Sequence, residues 1–226
     1  MENLPDYVSI AFELTTILTI WLFYRASGYS NPFLLIVMIW LVVQAFIASS
    51  DYYTVTHTLP PRFLLLVIPP FLCIMGLFMN PNGRKFIDNL ELKKLTILHT
   101  VRIPVEIVLF YLFTYKTIPE LMTFEGRNLD ILSGITAPFV FYFGFIRKKM
   151  HHKAILIWNV VCLALLLNIV INAILSAPFQ FQQFAFDQPN IAVLYFPFIW
   201  LPCCVVPLVV LSHLAAIRQL SKFEKN

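Results

Sequence analysis

Three ionisable residues, Glu13, Arg102 and Glu106, fall inside stretches otherwise apolar enough to cross a lipid bilayer. An ionisable side chain at that depth costs roughly 2.5 to 3.5 kcal/mol on insertion scales, so each marks a candidate functional position. His99, Arg102 and Glu106 are spaced three and four residues apart, which puts them within an arc of about 60° on one helix face. Pro104 stands between the last two and removes the helical hydrogen bond to the carbonyl of Thr100, which predicts a kink beside the charged face. Such a face supports two chemistries. Arg102 can anchor an anionic or carbonyl group while Glu106, with Glu13, handles a proton or a cation. Alternatively, Arg102 and Glu106 form an intrahelical ion pair that serves packing alone. A buried pair is often replaceable by apolar residues without loss, which weighs against the purely structural role.

A second concentration of chemistry lies in Thr123–Asp130, where Glu125, Arg127 and Asp130 surround Gly126. Asp130 is placed to cap the helix that follows, and Gly126 permits a positive φ or a close backbone approach. The polar residues Asn168 and Asn172 share a helix face at spacing four, with Asn159 on the opposite side of the same stretch. Metal and cofactor sites are not expected. The four cysteines, Cys73, Cys162, Cys203 and Cys204, sit in apolar runs without zinc spacing, His151–His152 belongs to a basic loop, and His213 stands alone in the last stretch. Residues 191–217 contain no Lys, which excludes a retinal Schiff base there.

The elements that must position these groups are membrane helices. The chain of 226 residues is 59% hydrophobic and 12% charged, whereas soluble domains carry roughly 25% charged residues. Seven apolar stretches approach the roughly 20 residues needed to cross a bilayer, at approximately 6–25, 32–50, 62–80, 95–115, 129–147, 154–175 and 191–217. With the N-terminus outside, twelve of the sixteen Lys and Arg fall in inner loops or the C-terminal tail: Arg25, Arg84, Lys85, Lys93, Lys94, Arg147, Lys148, Lys149, Lys153, Arg218, Lys222 and Lys225. Acidic residues, from Glu2 and Asp6 to Asp187, favour the outer side. The expectation is an all-α, single-domain bundle of seven transmembrane helices, N-terminus out and C-terminus cytoplasmic, in a bacterial inner membrane. Asn80-Pro81-Asn82-Gly83 has turn chemistry and introduces a short amphipathic helix over Arg84–Leu95. The Phe- and Gln-rich loop Ser176–Asn190 is expected along the outer interface, able to serve as a lid.

In that frame Glu13, Glu106, Asn168 and Asn172 line a polar pocket open to the outside, with Glu125, Arg127 and Asp130 at its mouth. The function expected is binding or transport of a small or amphipathic substrate, with membrane lipid as the surrounding partner and Glu106 coupled to a proton. Two other classes fit the same residues: an integral-membrane enzyme acting on a lipid or isoprenoid through its carboxylates, and a non-catalytic sensor or assembly subunit. The net charge of +4 is an orientation signal and does not indicate nucleic acid, since no basic, aromatic-interleaved stretch is present.

Overall fold

The computed structural model describes residues 4–223, and among them every regular element is helical. Glu2 and Lys225, which entered the charge sorting, lie outside the described residues. Helix α1 is Asp6–Ala26 and α2 is Asn31–Ala48. Helix α3, Leu64–Met79, turns through 94° into α4, Pro81–Asp88. Helix α5, Leu92–Leu98, runs through the 3₁₀ turn His99–Val101 into α6, Arg102–Thr114, giving one helix of 23 residues. Helix α7, Ile131–Phe141, ends in the π turn Tyr142–Ile146, and α8 is His152–Leu175. A second π turn, Leu201–Val205, opens into α9, Val206–Phe223.

Five of these units are long and apolar enough to cross a membrane, or six if α3 and α4 form one broken span, which is consistent with an integral membrane protein. Sequence alone suggests seven. The shortfall comes from α3, whose 16 residues qualify only together with α4, and from α7, whose 11 residues and 5-residue π turn reach about 24 Å against about 30 Å of hydrocarbon. It starts late because the loop before it folds back between helices. Two expected boundaries also move. The amphipathic helix ends at Asp88, so the following span begins at Leu92, and residues 191–200 are 3₁₀ and irregular ahead of the last helix.

Prolines and caps account for the breaks. Asn80 accepts a hydrogen bond from the Asn82 amide at 2.8 Å, Pro81 suits the first helical turn, and Gly83 lies so close to α3 that a Cβ would sit 2.4 Å from the Leu77 carbonyl oxygen. The 3₁₀ turn at His99–Val101 falls just ahead of Pro104, where the α-helical bond to Thr100 is forbidden. Pro207 leaves the Cys203 carbonyl without its helical donor, and the Trp40 indole N–H fills the place at 3.0 Å. That bond, with Trp200 donating to the Leu41 carbonyl at 3.3 Å, ties α2 to the last helix.

The interior belongs to the Leu92–Thr114 helix and the Leu201–Lys222 helix, 61% and 67% buried, whereas α2 is 11% buried and presents nearly all its surface outward. Helix α1 packs on α5 and α6, and the hydroxyls of its buried Thr15, Thr16 and Thr19 donate to carbonyls four residues earlier at 2.7, 3.0 and 2.8 Å. At the C-terminal end of the bundle, Asp88 accepts from Arg218 Nε at 2.8 Å, Arg218 Nη2 at 3.2 Å and Lys222 at 2.6 Å. The Arg218 fork, with Lys222 beside it, holds the Asp88 carboxyl below the usual carboxylate range. The expected lid, Ser176–Asn190, is pinned to the bundle. Phe179 is buried against Phe63, and Gln188 Nε2 donates to the carbonyls of Phe113 and Ile118.

Candidate functional site

Arg102 is the first residue of α6, 3% exposed and set at the join with the 3₁₀ turn. Its guanidinium is divided among three neighbours. Nη1 donates to Asp130 Oδ1 at 2.5 Å and more distantly to the Cys162 carbonyl at 3.5 Å, while Nη2 lies 2.9 Å from His213 Nε2. A guanidinium only donates, so Nε2 of His213 must accept and the ring proton resides on Nδ1. Nδ1 is 2.9 Å from Asn159 Oδ1, and Asn159 Nδ2 donates in turn to the Ile155 carbonyl at 2.9 Å. The tautomer is therefore inferred from a self-consistent chain of donors and acceptors. His99 stacks on His213 with ring centroids 3.8 Å apart and planes 10° apart, and neither of its ring nitrogens has a hydrogen-bond partner.

The alternative weighed from sequence, an Arg102–Glu106 ion pair, does not form. Glu106 Oε1 instead accepts from Asn128 Nδ2 at 2.6 Å, and Arg102 takes Asp130. The physical reason is the path of residues 123–130. Asn128 and Asp130 are 0% and 4% exposed, so the segment dips into the bundle rather than standing at its mouth. Asn128 shapes the descent by accepting from the Asp130 amide at 3.0 Å and donating to the Met122 carbonyl at 3.0 Å. Gly126 permits it, since a Cβ there would lie 2.3 Å from the Glu120 carbonyl oxygen. Asp130 precedes α7 but makes no side-chain cap, because its carboxylate is turned to Arg102. Gly134, one turn on, brings α7 against the start of α6: an added Cβ would meet Ile103 Cγ1 at 2.9 Å, the Ile103 backbone nitrogen at 3.1 Å and Arg102 Cβ at 3.2 Å.

Beside this network lies a cavity with about 60 Å³ open to the centres of water-sized molecules, lined by Arg102, Glu106, Asn128 and Asp130 at one end and otherwise by aliphatic side chains and Met122. A single water needs roughly 10 to 15 Å³ on this measure, so the space takes several waters or a small polar group. Glu106 is 2% exposed, and its Oε2 has no partner. The formal charges of Arg102 and Asp130 cancel, which leaves Glu106 as the unbalanced acid. In an apolar chamber an unpaired carboxylate is costly, so Glu106 is set to hold a proton or to meet a cation.

The remaining expected residues are placed elsewhere. Glu13 is half-buried at the edge of the inward face of α1, outside the cavity lining. Asn168 is exposed and donates to the Arg127 carbonyl at 3.1 Å, and Asn172 donates back to the Asn168 carbonyl at 2.9 Å, so neither lines the chamber. Glu125 and Arg127 are exposed, the latter with its guanidinium 5.4 Å from the Phe184 ring centroid. The outward polar pocket of Glu13, Glu106, Asn168 and Asn172 is thus replaced by an interior one centred on Glu106. Three members of the network were not singled out from sequence: Asn128, Asn159 and His213. Asn159, on the opposite side of α8 from Asn168 and Asn172, bonds a different neighbour, His213, which therefore does not stand alone. The cost of polar groups in apolar helices was the available signal for both.

Residues 59–221 match the family described as Domain of unknown function (DUF8737). The chain belongs to this family. No curated protein and no solved structure matches it. Every residue of the buried network, from His99 to His213, falls within the DUF8737 segment, whereas Glu13 and the whole of α1 and α2 precede it.

Proposed function

We propose that this is a seven-span protein of a bacterial inner membrane, N-terminus out and C-terminus in, that binds and moves a small or amphipathic substrate through the Glu106 cavity. One observation carries the reading: a fully buried carboxylate oxygen, Glu106 Oε2, is left without a partner in a largely apolar chamber, beside an ion pair that is already neutral. Largely apolar cavities with a few convergent polar groups are the usual form of ligand sites. Glu106 then serves as the proton- or cation-binding group. Arg102 acts as a positioning residue, because Asp130 and His213 already occupy two of its nitrogens.

The test uses proteoliposomes carrying a pH-sensitive dye and challenged with a panel of short and long alkyl amines and carboxylates. Glu106→Gln abolishes substrate-dependent proton movement while yield and melting temperature stay near wild type. Loss of folding in Glu106→Gln would assign the carboxyl to packing and remove the transport reading. A second reading, an enzyme acting on a lipid or isoprenoid, rests on the same carboxyl as a general acid in an apolar chamber. It requires a mass-shifted product from lipid extract that depends on Glu106. Asp130 is the weaker acid candidate, being committed to Arg102.

A further inference from the structure

The cavity at Glu106 shares a wall with a second of the same size, since Met122, Val170, Ala173, Leu201 and Val206 line both. The second chamber continues between α3 and α8, past Val67, Phe71 and Ile174, which are half-buried. Side chains that line a chamber and also reach the surface place its far side at the periphery of the bundle, toward the bilayer. The walls of the two adjoining chambers are aliphatic, aromatic or thioether throughout, except for the charged cluster at the Glu106 end and Asn190 in the second chamber. Asn190 is 0% exposed, and its Oδ1 is unpartnered.

The charge pattern selects the head group. Arg102 and Asp130 neutralise each other at 2.5 Å, and of the Arg102 nitrogens only Nε is free. An anionic head would have to displace Asp130 from the guanidinium. A cationic head needs no rearrangement, because it donates to Glu106 Oε2 and balances the one carboxylate left over. We propose that the two chambers open into one another across their shared wall and bind a single-chain amphiphile with a cationic, hydrogen-bond-donating head on Glu106 and its hydrocarbon chain in the second chamber, reached laterally between α3 and α8. This rests on the reading of Glu106 as a ligand-binding carboxyl, and it adds the charge of the head and the path of the tail.

The experiment uses the full chain in lipid nanodiscs with two readouts. The head is followed by protection of Glu106 from modification by dicyclohexylcarbodiimide, and the tail by cross-linking of a dodecylamine that carries a terminal diazirine, mapped by mass spectrometry. Dodecylamine and butylamine both protect Glu106, whereas laurate at tenfold higher concentration does not. The diazirine labels peptides containing Val67–Phe71 or Val170–Ile174, and Glu106→Gln lowers that labelling at least tenfold. Ala173→Phe, which fills the shared wall, lowers dodecylamine labelling at least tenfold and leaves butylamine protection intact. Val67→Trp, on the opposite wall, gives the same split and serves if Ala173→Phe does not fold. Protection by amines with labelling elsewhere, or labelling indifferent to both wall variants, overturns the tail path and leaves the Glu106 site standing. Equal protection by laurate overturns the cationic head. Absence of protection by either amine overturns this proposal and the ligand-binding reading of Glu106 together.

Discussion

Replacing Asp130 with Leu removes the anionic half of a pair that is 3% and 6% exposed at the side chains, and leaves the Arg102 guanidinium without its charge partner. At the 2.5 Å separation and an effective dielectric of about 20, the gross attraction is about 7 kcal/mol. Much of that only offsets the cost of taking both charges out of water, and breaking such a pair from one side costs about 3 to 5 kcal/mol. At about 2 to 4 °C per kcal/mol for a chain of this size, Asp130→Leu should lower Tm by about 6 to 20 °C. The double variant Arg102→Met with Asp130→Leu discards both charges and should return to within about 1 kcal/mol of wild type, or exceed it. Melting of the purified protein in one detergent, followed by intrinsic fluorescence and by circular dichroism, gives the four corners of the cycle. A loss below about 1 kcal/mol in Asp130→Leu, or a double variant that melts lower than either single, would refute the assignment of Asp130 as the counter-ion of Arg102. Should Glu106 move to rescue Arg102, adding Glu106→Gln to Asp130→Leu exposes it by restoring the full loss.

Three further outcomes follow from the same geometry. Gly134→Ala forces a Cβ to within 2.9 Å of Ile103 Cγ1 and should cost about 1 to 3 kcal/mol in a thermal melt, while Gly76→Ala, with nothing within 4 Å of its Cβ, should not destabilise. Asn159→Leu leaves the buried His213 Nδ1–H without an acceptor and should cost about 1 to 3 kcal/mol, a loss that His213→Phe in the same background should deepen, because Arg102 Nη2 then loses its acceptor. For Asp88 the folded value is depressed, so its stabilisation is complete above the unfolded value near 4 and disappears as pH falls through the lower folded value. Asp88→Asn should therefore lower Tm slightly at neutral pH, by less than about 1 kcal/mol for partly exposed groups, and remove part of the decline of Tm seen on acidification below about pH 4.

Hydrophobic length and periodicity made the helices legible, because a stretch that must satisfy its own backbone in lipid leaves a long apolar record. The face shared by His99, Arg102 and Glu106 was legible for the same reason: helical spacing is local, and all three are buried. The partners were not. Asp130 is 28 residues from Arg102 and His213 is 111 residues away, and no local rule relates the rotation of one helix to that of another. Thr123–Asp130 was conspicuous by its polarity, yet polarity does not say which side chains turn in: Asn128 and Asp130 do, whereas Glu125 and Arg127 do not. Asn168 and Asn172, as conspicuous as Asn159 in sequence, lie on the other side of α8 and bond the Arg127 carbonyl and the Asn168 carbonyl.

The close seat of Gly134 on α6 has a mechanical consequence. With no side chain between the two backbones, and with Arg102 latched to Asp130 across the same seam, α6 and α7 form one stiff plank. Prising them apart would break the latch and strand both charges at once. A working cycle that opens the chamber must therefore leave this seam shut and move a wall that carries no such latch. Helix α3 answers that description. It contributes only apolar side chains to the second chamber, it ends at a 94° corner at Asn80, and it carries the paired prolines Pro69 and Pro70 within its length. In the transport cycle proposed for the chamber, the plank would serve as the stator and α3 would supply the hinges.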